Sequence, residues 1–321
     1  MRLRFAVGLL IVWCLVGDRL PAQFTSEDSP AGGPVLGEAV KSQYKFGVIV
    51  QATGGACRDL YITCPMPADW PEQRTEIVSE ETTPNVGSVS YRSVARGVKQ
   101  MVVRIPFLAA GQEAKALVTV SIERHKLLSP EKTDDLHAPA KPERELAVYL
   151  APSPQIESRH PKIVKLAKEI TADAEGDWAK AEAMYDWVRE HVKYENGKLK
   201  GALAALKDGT GDCEELSSLF IALCRASKIP ARTVWVPDHC YPEFYLVDEA
   251  GHGNWFPCQA AGDRAFGGIP EIRPILQKGD NFRDEDRPRE KLRYFSEFLK
   301  GTPVGGGKPP KHQFVRETVG I

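Results

Sequence analysis

The chain has 321 residues, of which 42% are hydrophobic and 26% are charged, and its formal net charge is -1. This length predicts two domains, because a single hydrophobic core stops growing at roughly 250–300 residues. The near-neutral charge gives no electrostatic reason to expect nucleic acid or an anionic membrane surface as a partner, and no Gly-rich phosphate loop precedes a predicted helix.

Residues 1–23 are typical of a secretory signal peptide. Arg2 and Arg4 make a positive start, residues 5–17 form an uncharged, mainly apolar run, and a small residue at Ala22 offers a cleavage site. The apolar run is short for a membrane span, and an uncleaved N-terminal anchor is the alternative. We therefore expect an exported protein, periplasmic or secreted, with no membrane span after signal cleavage.

The next part of the chain has the pattern of β-structure. Residues 24–40 are rich in Ser, Gly, Pro and acidic residues and predict a flexible leader. Residues 41–126 contain short β-branched and aromatic runs separated by turn residues, which predicts a small, all-β, sandwich-like domain. This domain offers no group of catalytic side chains, and its pattern fits a binding module and a spacer equally well. Residues 127–160 hold five prolines and predict a linker.

Helical spacing begins after Pro161, and residues 161–302 predict an α+β domain. An apolar helix starts at Asp212 or Cys213 and ends before Pro230, which cannot continue it. Three strand-like runs follow this helix at residues 232–236, 239–247 and 255–259. Residues 303–321 are rich in Gly, Pro and Lys and predict a disordered tail.

Cys213 has the surroundings of a nucleophilic thiol. It opens the predicted helix directly after Gly211 and Asp212. A helix N-terminus presents unpaired N–H groups and a partial positive charge, and both favour the reactive thiolate. Cys224 lies eleven residues later in the apolar face of the same helix, where we expect an inert core thiol.

A thiol nucleophile also needs a base and a group that orients the base. His239 opens one predicted strand, and Gln259 closes the next. In a hairpin centred near residue 249 the two are directly opposed on one face, where the Gln259 amide accepts the Nδ1–H of His239. The same register places Cys240 opposite Cys258 on the other face, away from the cleft, either as a disulfide or as two buried thiols.

Several segments within residues 161–275 resemble the transglutaminase-like superfamily. They are residues 211–220, 228–232, 239–245 and 255–259. The resemblance implies a papain-like fold in which the nucleophile helix packs on an antiparallel sheet. It also implies that Cys213 and His239 belong to the catalytic set. The third member of that set is normally an aspartate, where this chain has Gln259.

We therefore expect thiol-dependent acyl transfer on peptide or glutamine-type amides by Cys213, His239 and Gln259, with a protein or peptide as substrate. Water as acceptor gives a protease or amidase, and an amine gives a cross-linker. A glutamine orients the imidazole but supplies no charge, so the alternative is an inactive, exported peptide-binding or scaffold module. No cofactor is required. A metal site at His239, Glu243 and His252 would have to span turn residues, and we expect none.

Overall fold

The computed structural model describes residues 32–285 and 287–320. The predicted signal peptide at residues 1–23 lies outside them. Among the described residues, no helix combines the length and the apolar character needed to cross a membrane.

Sixteen strands and five α-helices are formed by the described residues. The strands are β1 (Val35–Gln51), β2 (Cys57–Met66), β3 (Gln73–Thr82), β4 (Ser88–Ser93), β5 (Lys99–Leu108), β6 (Glu113–Leu128), β7 (Lys193–Tyr194), β8 (Thr210–Gly211), β9 (Ala231–Val236), β10 (His239–Val247), β11 (Gly253–Pro257), β12 (Gln277–Lys278), β13 (Phe282–Asp284), β14 (Arg287–Leu292), β15 (Phe298–Pro303) and β16 (Lys311–Val319). The helices are α1 (Arg144–Ala147), α2 (Pro161–Ile170), α3 (Gly176–His191), α4 (Ala202–Asp208) and α5 (Cys213–Ala226).

Two four-stranded antiparallel sheets form the sandwich-like domain. Their strand orders are β16-β1-β6-β3 and β15-β2-β5-β4. Alternate residues of β1, such as Phe46, Val48 and Val50, are buried in a core shared with Leu60 and Ile62 of β2. This two-residue period is what a strand with one buried face requires, so the sequence pattern predicted this domain correctly as all-β.

The ends of the sandwich differ from the prediction. Residues 35–40, predicted to be part of a flexible leader, lie in β1, and the predicted tail contains β16, which pairs with β1 from Gln43↔Val319 to Gln51↔Lys311. Only Val315 of β16 is buried. Main-chain hydrogen bonds to β1 hold this strand in place, so it does not depend on a buried face. Its sequence accordingly shows no alternation of hydrophobic residues from which a strand could be predicted. β15 likewise pairs with β2, although it was predicted to belong to the second domain.

The predicted linker packs against the second half of the chain. Leu127 exchanges both main-chain hydrogen bonds with Ile269, and His137 exchanges both with Val247 of β10. The short helix α1 follows. These contacts fasten residues 127–160 to the sheet that carries the candidate site.

That sheet has the order β11-β10-β9-β12, and helix α5 packs on it. Phe244 of β10 and Phe256 of β11 meet Phe220 of α5 in one buried core, around which α2 and α3 also pack. The predicted arrangement, a nucleophile helix on an antiparallel sheet, is confirmed.

A buried cluster of charges joins the sheet to the sandwich. Lys278 of β12 lies 2.5 Å from Glu72, which precedes β3, and 2.8 Å from Glu243 of β10. All three side chains are almost fully buried, so removing one partner would leave an uncompensated charge in the interior. The cluster therefore fixes β10, the strand that begins with His239, relative to the sandwich.

Candidate active site

Cys213 is the first residue of α5, as predicted. The Asp212 carboxylate accepts a hydrogen bond from the Glu214 N–H at 2.8 Å, and the Glu215 carboxylate accepts one from the Asp212 N–H at 3.2 Å. The second bond belongs to a capping box, in which the Asp212 side chain also accepts from the Glu215 N–H, and such a box stabilises a helix start. The Cys213 sulfur consequently lies at a fixed, well-formed helix N-terminus.

His239 is brought to Cys213 by a tight turn between β9 and β10. Val236 pairs with His239 across this turn, and Asp238 within it adopts a positive φ of 55°. The imidazole and the Cys213 side chain line the same cavity, and their interaction raises the pKa of His239. The turn therefore places a base beside the helix-start thiol.

Gln259 reaches the opposite edge of the same imidazole. The Nε2 atom of His239 lies 3.2 Å from the Gln259 Oε1 atom. The predicted contact is thus present in the structure, but through Nε2 rather than Nδ1. Since Nε2 faces Gln259, Nδ1 is the nitrogen left to face Cys213.

The predicted hairpin register is wrong by one residue. The structure pairs Glu243 with Pro257 and Tyr245 with Trp255, so the hairpin is centred on residue 250 rather than 249. A centre displaced by one residue means that each residue of β10 pairs with a residue two positions further along the chain than predicted. His239 and Gln259 therefore remain on the same face. They lie diagonally instead of directly opposed, a separation that a long side chain can bridge.

The shift in register also overturns the predicted pairing of Cys240 with Cys258. The Cys258 N–H donates to the carbonyl of Pro242, two residues from Cys240 along β10, and Cys258 packs in the helix core with Cys224. Cys240 lies instead at the site, with its sulfur 3.8 Å from the Ser217 hydroxyl of α5. None of the six described cysteines forms a disulfide.

Donors on β10 set the charge state of Cys213. The Cys240 thiol has the largest influence, and the His239 side chain and the Cys240 backbone N–H also donate hydrogen bonds to the sulfur. Burial acts in the opposite direction, but together the donors lower the pKa of Cys213 from 9.0 to about 4. The thiolate, which is the nucleophilic form, therefore predominates at neutral pH.

The pKa of His239, the base, is shifted upwards. Burial is the largest influence on His239 and lowers its pKa, but the hydrogen bond and charge of Cys213 and the hydrogen bond to Gln259 outweigh it. The net result is a pKa above the usual 6.5. The pKa shifts of Cys213 and His239 therefore each favour the charged form of the side chain.

A cavity of about 410 Å³ opens beside Cys213 and His239. Its size is that of a small-molecule or side-chain pocket. Part of its wall comes from the sandwich, where Pro65, Glu297 and Arg316 line it, and Arg316 lies 2.6 Å from Glu297. The sandwich therefore borders the site directly.

Aromatic side chains line another part of the cavity. Trp235 of β9 and Tyr294 are in contact, with ring centroids 4.7 Å apart, and Phe295 lies next to them. The neighbouring Arg293 donates to the Glu214 carboxylate at 2.9 Å and so attaches this segment to the start of α5. Nothing in the sequence around residue 293 indicated this contact, because it joins segments far apart in the chain.

Part of the chain matches a known protein family. Residues 164–260 match the model of the transglutaminase-like superfamily. This segment is therefore similar to the core of that superfamily. It includes all three predicted site residues and helix α3. No curated protein sequence matches the chain.

Two solved structures are similar to the chain. A crystal structure of a "Putative Cysteine Protease from Cytophaga hutchinsonii" is 18% identical, has a TM-score of 0.57, and covers 88% of this chain and 94% of that one. A "putative protease" from Parabacteroides distasonis is 11% identical with a TM-score of 0.24, covering 66% and 68%, which is too low to support an argument. At these identities the first likeness shows that the fold is shared.

The side chains that the sequence offered for a metal site have other partners in the structure. Within residues 32–285 and 287–320, no group of three His, Cys, Asp or Glu side chains could hold a metal ion. Glu243 is instead buried between Arg232 and Lys278, and His252 pairs with Asp248 in the turn after β10. The residues considered for a metal site in the sequence therefore have separate structural roles.

Proposed function

We propose that the chain is a thiol-dependent acyl-transfer enzyme, in which Cys213, His239 and Gln259 act on a peptide or glutamine-type amide. The observation that carries this proposal is the charge pair at the site. A thiol whose pKa is near 4 lies beside an imidazole whose pKa is raised, and an amide fixes the far side of the ring at 3.2 Å. These are the nucleophile, the acid–base group and the orienting group that such chemistry needs.

The proposed reaction has two steps. The Cys213 sulfur attacks the amide carbonyl carbon, and the C–N bond breaks as the His239 imidazolium gives its proton to the departing amine. The resulting thioester is attacked by water, which gives one proton to His239, and the thiolate leaves as the carboxylic acid forms. The backbone N–H of Cys213, at the first position of α5, is suited to stabilise the oxyanion in both steps.

Water is the acceptor that we propose, so that the chain acts as a protease or amidase. The structural neighbour from Cytophaga hutchinsonii bears the name "Putative Cysteine Protease", which supports this choice over cross-linking. The cavity walls from the sandwich and the aromatic segment suit a peptide substrate. We further propose, from the N-terminal sequence, that the protein acts after export.

An inactive peptide-binding module is the second candidate, and the amide at position 259 is the observation that favours it. An aspartate would stabilise the imidazolium by its charge, whereas Gln259 only accepts a hydrogen bond. Such a module would retain the cavity and would bind peptides without cleaving them.

A thiol-directed experiment separates the two candidates. The purified protein is treated with iodoacetamide at pH 7, and each cysteine-containing peptide is followed by mass spectrometry. We expect Cys213 to react far faster than Cys224, whose pKa is raised by burial. A peptide library is then digested with the wild type, Cys213→Ala and the matched variant Cys224→Ala. Cleavage lost only in Cys213→Ala supports the enzyme, and cleavage retained there refutes it. Peptide binding without cleavage by the wild type supports the module.

A further inference from the structure

Gln259 stands at the start of a loop, outside any strand ladder. The pairing of β10 with β11 ends at Pro257. The Gln259 N–H then donates to the carbonyl of Ala265 at 2.8 Å and closes a short loop between them. A glutamine side chain has three rotatable bonds, so its amide stays against His239 only if the backbone beneath it is fixed.

Two residues of α3, one helical turn apart, fix that backbone. The Tyr185 hydroxyl donates to the Gln259 carbonyl at 2.9 Å and accepts from the Ala265 N–H at 3.0 Å. Arg189 Nη1 donates to the same Gln259 carbonyl at 2.9 Å and to the Ala260 carbonyl at 3.3 Å. Its Nη2 donates to the Gly262 carbonyl at 2.9 Å.

We propose that Arg189, supported by Tyr185, is a positioning residue that holds the Gln259 amide against His239. This role rests on the function proposed above. The planar guanidinium presents its donors in a rigid fork, and here that fork spans three carbonyls of one loop. It therefore sets the direction in which the Gln259 side chain leaves the backbone.

The neighbouring Arg264 shows what is particular to Arg189. Both guanidinium groups lie 5.5 Å from the centre of the Tyr185 ring. Arg264 pairs with the carboxylates of Glu182 and Asp186 on α3. Arg189 has no carboxylate at ion-pair distance in the part of the chain that the structure describes, and its hydrogen bonds go to the carbonyls of the loop. Arg264 thus attaches the loop at the surface, whereas Arg189 orients the residue that contacts the imidazole.

The test compares Arg189→Met, Arg189→Lys and the matched control Arg264→Met. Loss of the fork should let Gln259 leave His239, and kcat/KM for a cleaved peptide should fall by about 10- to 100-fold, as expected for a misplaced catalytic group. The hydrogen bond that His239 donates to the Gln259 Oε1 raises the pKa of His239. Loss of this bond should therefore move the alkaline limb of the pH profile to lower pH. Arg189→Lys should restore part of the rate, and Arg264→Met should change neither quantity.

A double-mutant cycle and a substrate-free measurement complete the test. In the Arg189→Met background, Gln259→Ala should cost less than about threefold more, because coupled residues are not additive. Iodoacetamide reactivity of Cys213 across pH reports the charge pair without any substrate. A reactive wild type with an unchanged profile in Arg189→Met overturns the positioning role. An equal effect of Arg264→Met, or additivity with Gln259→Ala, also overturns it. An unreactive Cys213 in the wild type refutes the proposed function instead. Thermal unfolding confirms that each variant is folded.

Discussion

Replacing Cys240 with alanine tests the origin of the low pKa of Cys213. The Cys240 thiol is the largest of the influences that lower this pKa, and Cys240→Ala removes it while keeping the backbone N–H. A hydrogen bond to a charged group contributes about 1.5–3 kcal/mol, and each pKa unit corresponds to about 1.4 kcal/mol. Loss of a donor destabilises the thiolate, so we expect the pKa of Cys213 to rise by about one to two units.

The measurement is the rate of Cys213 alkylation by iodoacetamide between pH 3 and 9, read from the modified peptide. The wild-type midpoint should lie near pH 4, and that of Cys240→Ala should lie higher. Cys240→Ser retains a donor and should keep a low midpoint. Cys224→Ala removes a buried thiol from the apolar face of the same helix, and we expect it to leave the midpoint unchanged. Equal midpoints in Cys240→Ala and the wild type would show that Cys240 does not stabilise the thiolate.

Three further predictions concern activity. The pH profile of kcat/KM should have an acid limb near pH 4, where the lowered pKa of Cys213 lies, and an alkaline limb above 6.5, where His239 loses its proton. Gln259→Glu keeps the side-chain length and adds a charge, so the alkaline limb should move upwards. Gln259→Asp is shorter by one bond of about 1.5 Å, should lose the contact, and should lower kcat; equal profiles for the two variants would contradict the geometry. Arg316→Ala removes the partner of Glu297 in the cavity wall and should raise KM by up to about fivefold, since a partly exposed ion pair contributes at most about 1 kcal/mol, with kcat unchanged. An unchanged KM would exclude this wall from substrate binding.

The nucleophile helix was predictable because its signals are local. Asp212 as the cap, Cys213 at the first position and Pro230 as the stop lie within one short segment. The apolar face between them follows the helical period, so neither position nor orientation depends on distant parts of the chain. Most strands within residues 41–126 were predictable for the same reason. β15 and β16, which complete the sandwich from the far end of the chain, were not predicted, and the exposed residues of β16 carry no alternation.

The rest of the site depends on packing that a sequence pattern does not contain. The alternation of side chains in β10 and β11 placed His239 and Gln259 on one face, but alternation is unchanged by a shift of two residues, so it could not fix the register. For this reason the predicted pairing of Cys240 with Cys258 was wrong. The contacts of Arg189 and Arg293 join residues about 70 to 140 positions apart, and no local signal marks them.

The amide at position 259 and the thiol at position 240 have a combined consequence for the site. In the transglutaminase-like pattern an aspartate supplies negative charge behind the imidazole, whereas the neutral amide of Gln259 supplies none. The charge pair can also be stabilised from the sulfur side, where Cys240 and His239 donate to the thiolate and the start of α5 adds a partial positive charge. The free-energy difference between the Cys213–His239 ion pair and its neutral form depends on the surroundings of both groups. A hydrogen-bond donor at the Cys213 sulfur therefore offsets the absence of a negative charge beside the His239 ring. It follows that Cys240→Ala should impair the protein that has Gln259 more than the Gln259→Glu variant, and a double-mutant cycle between positions 240 and 259 measures this coupling directly.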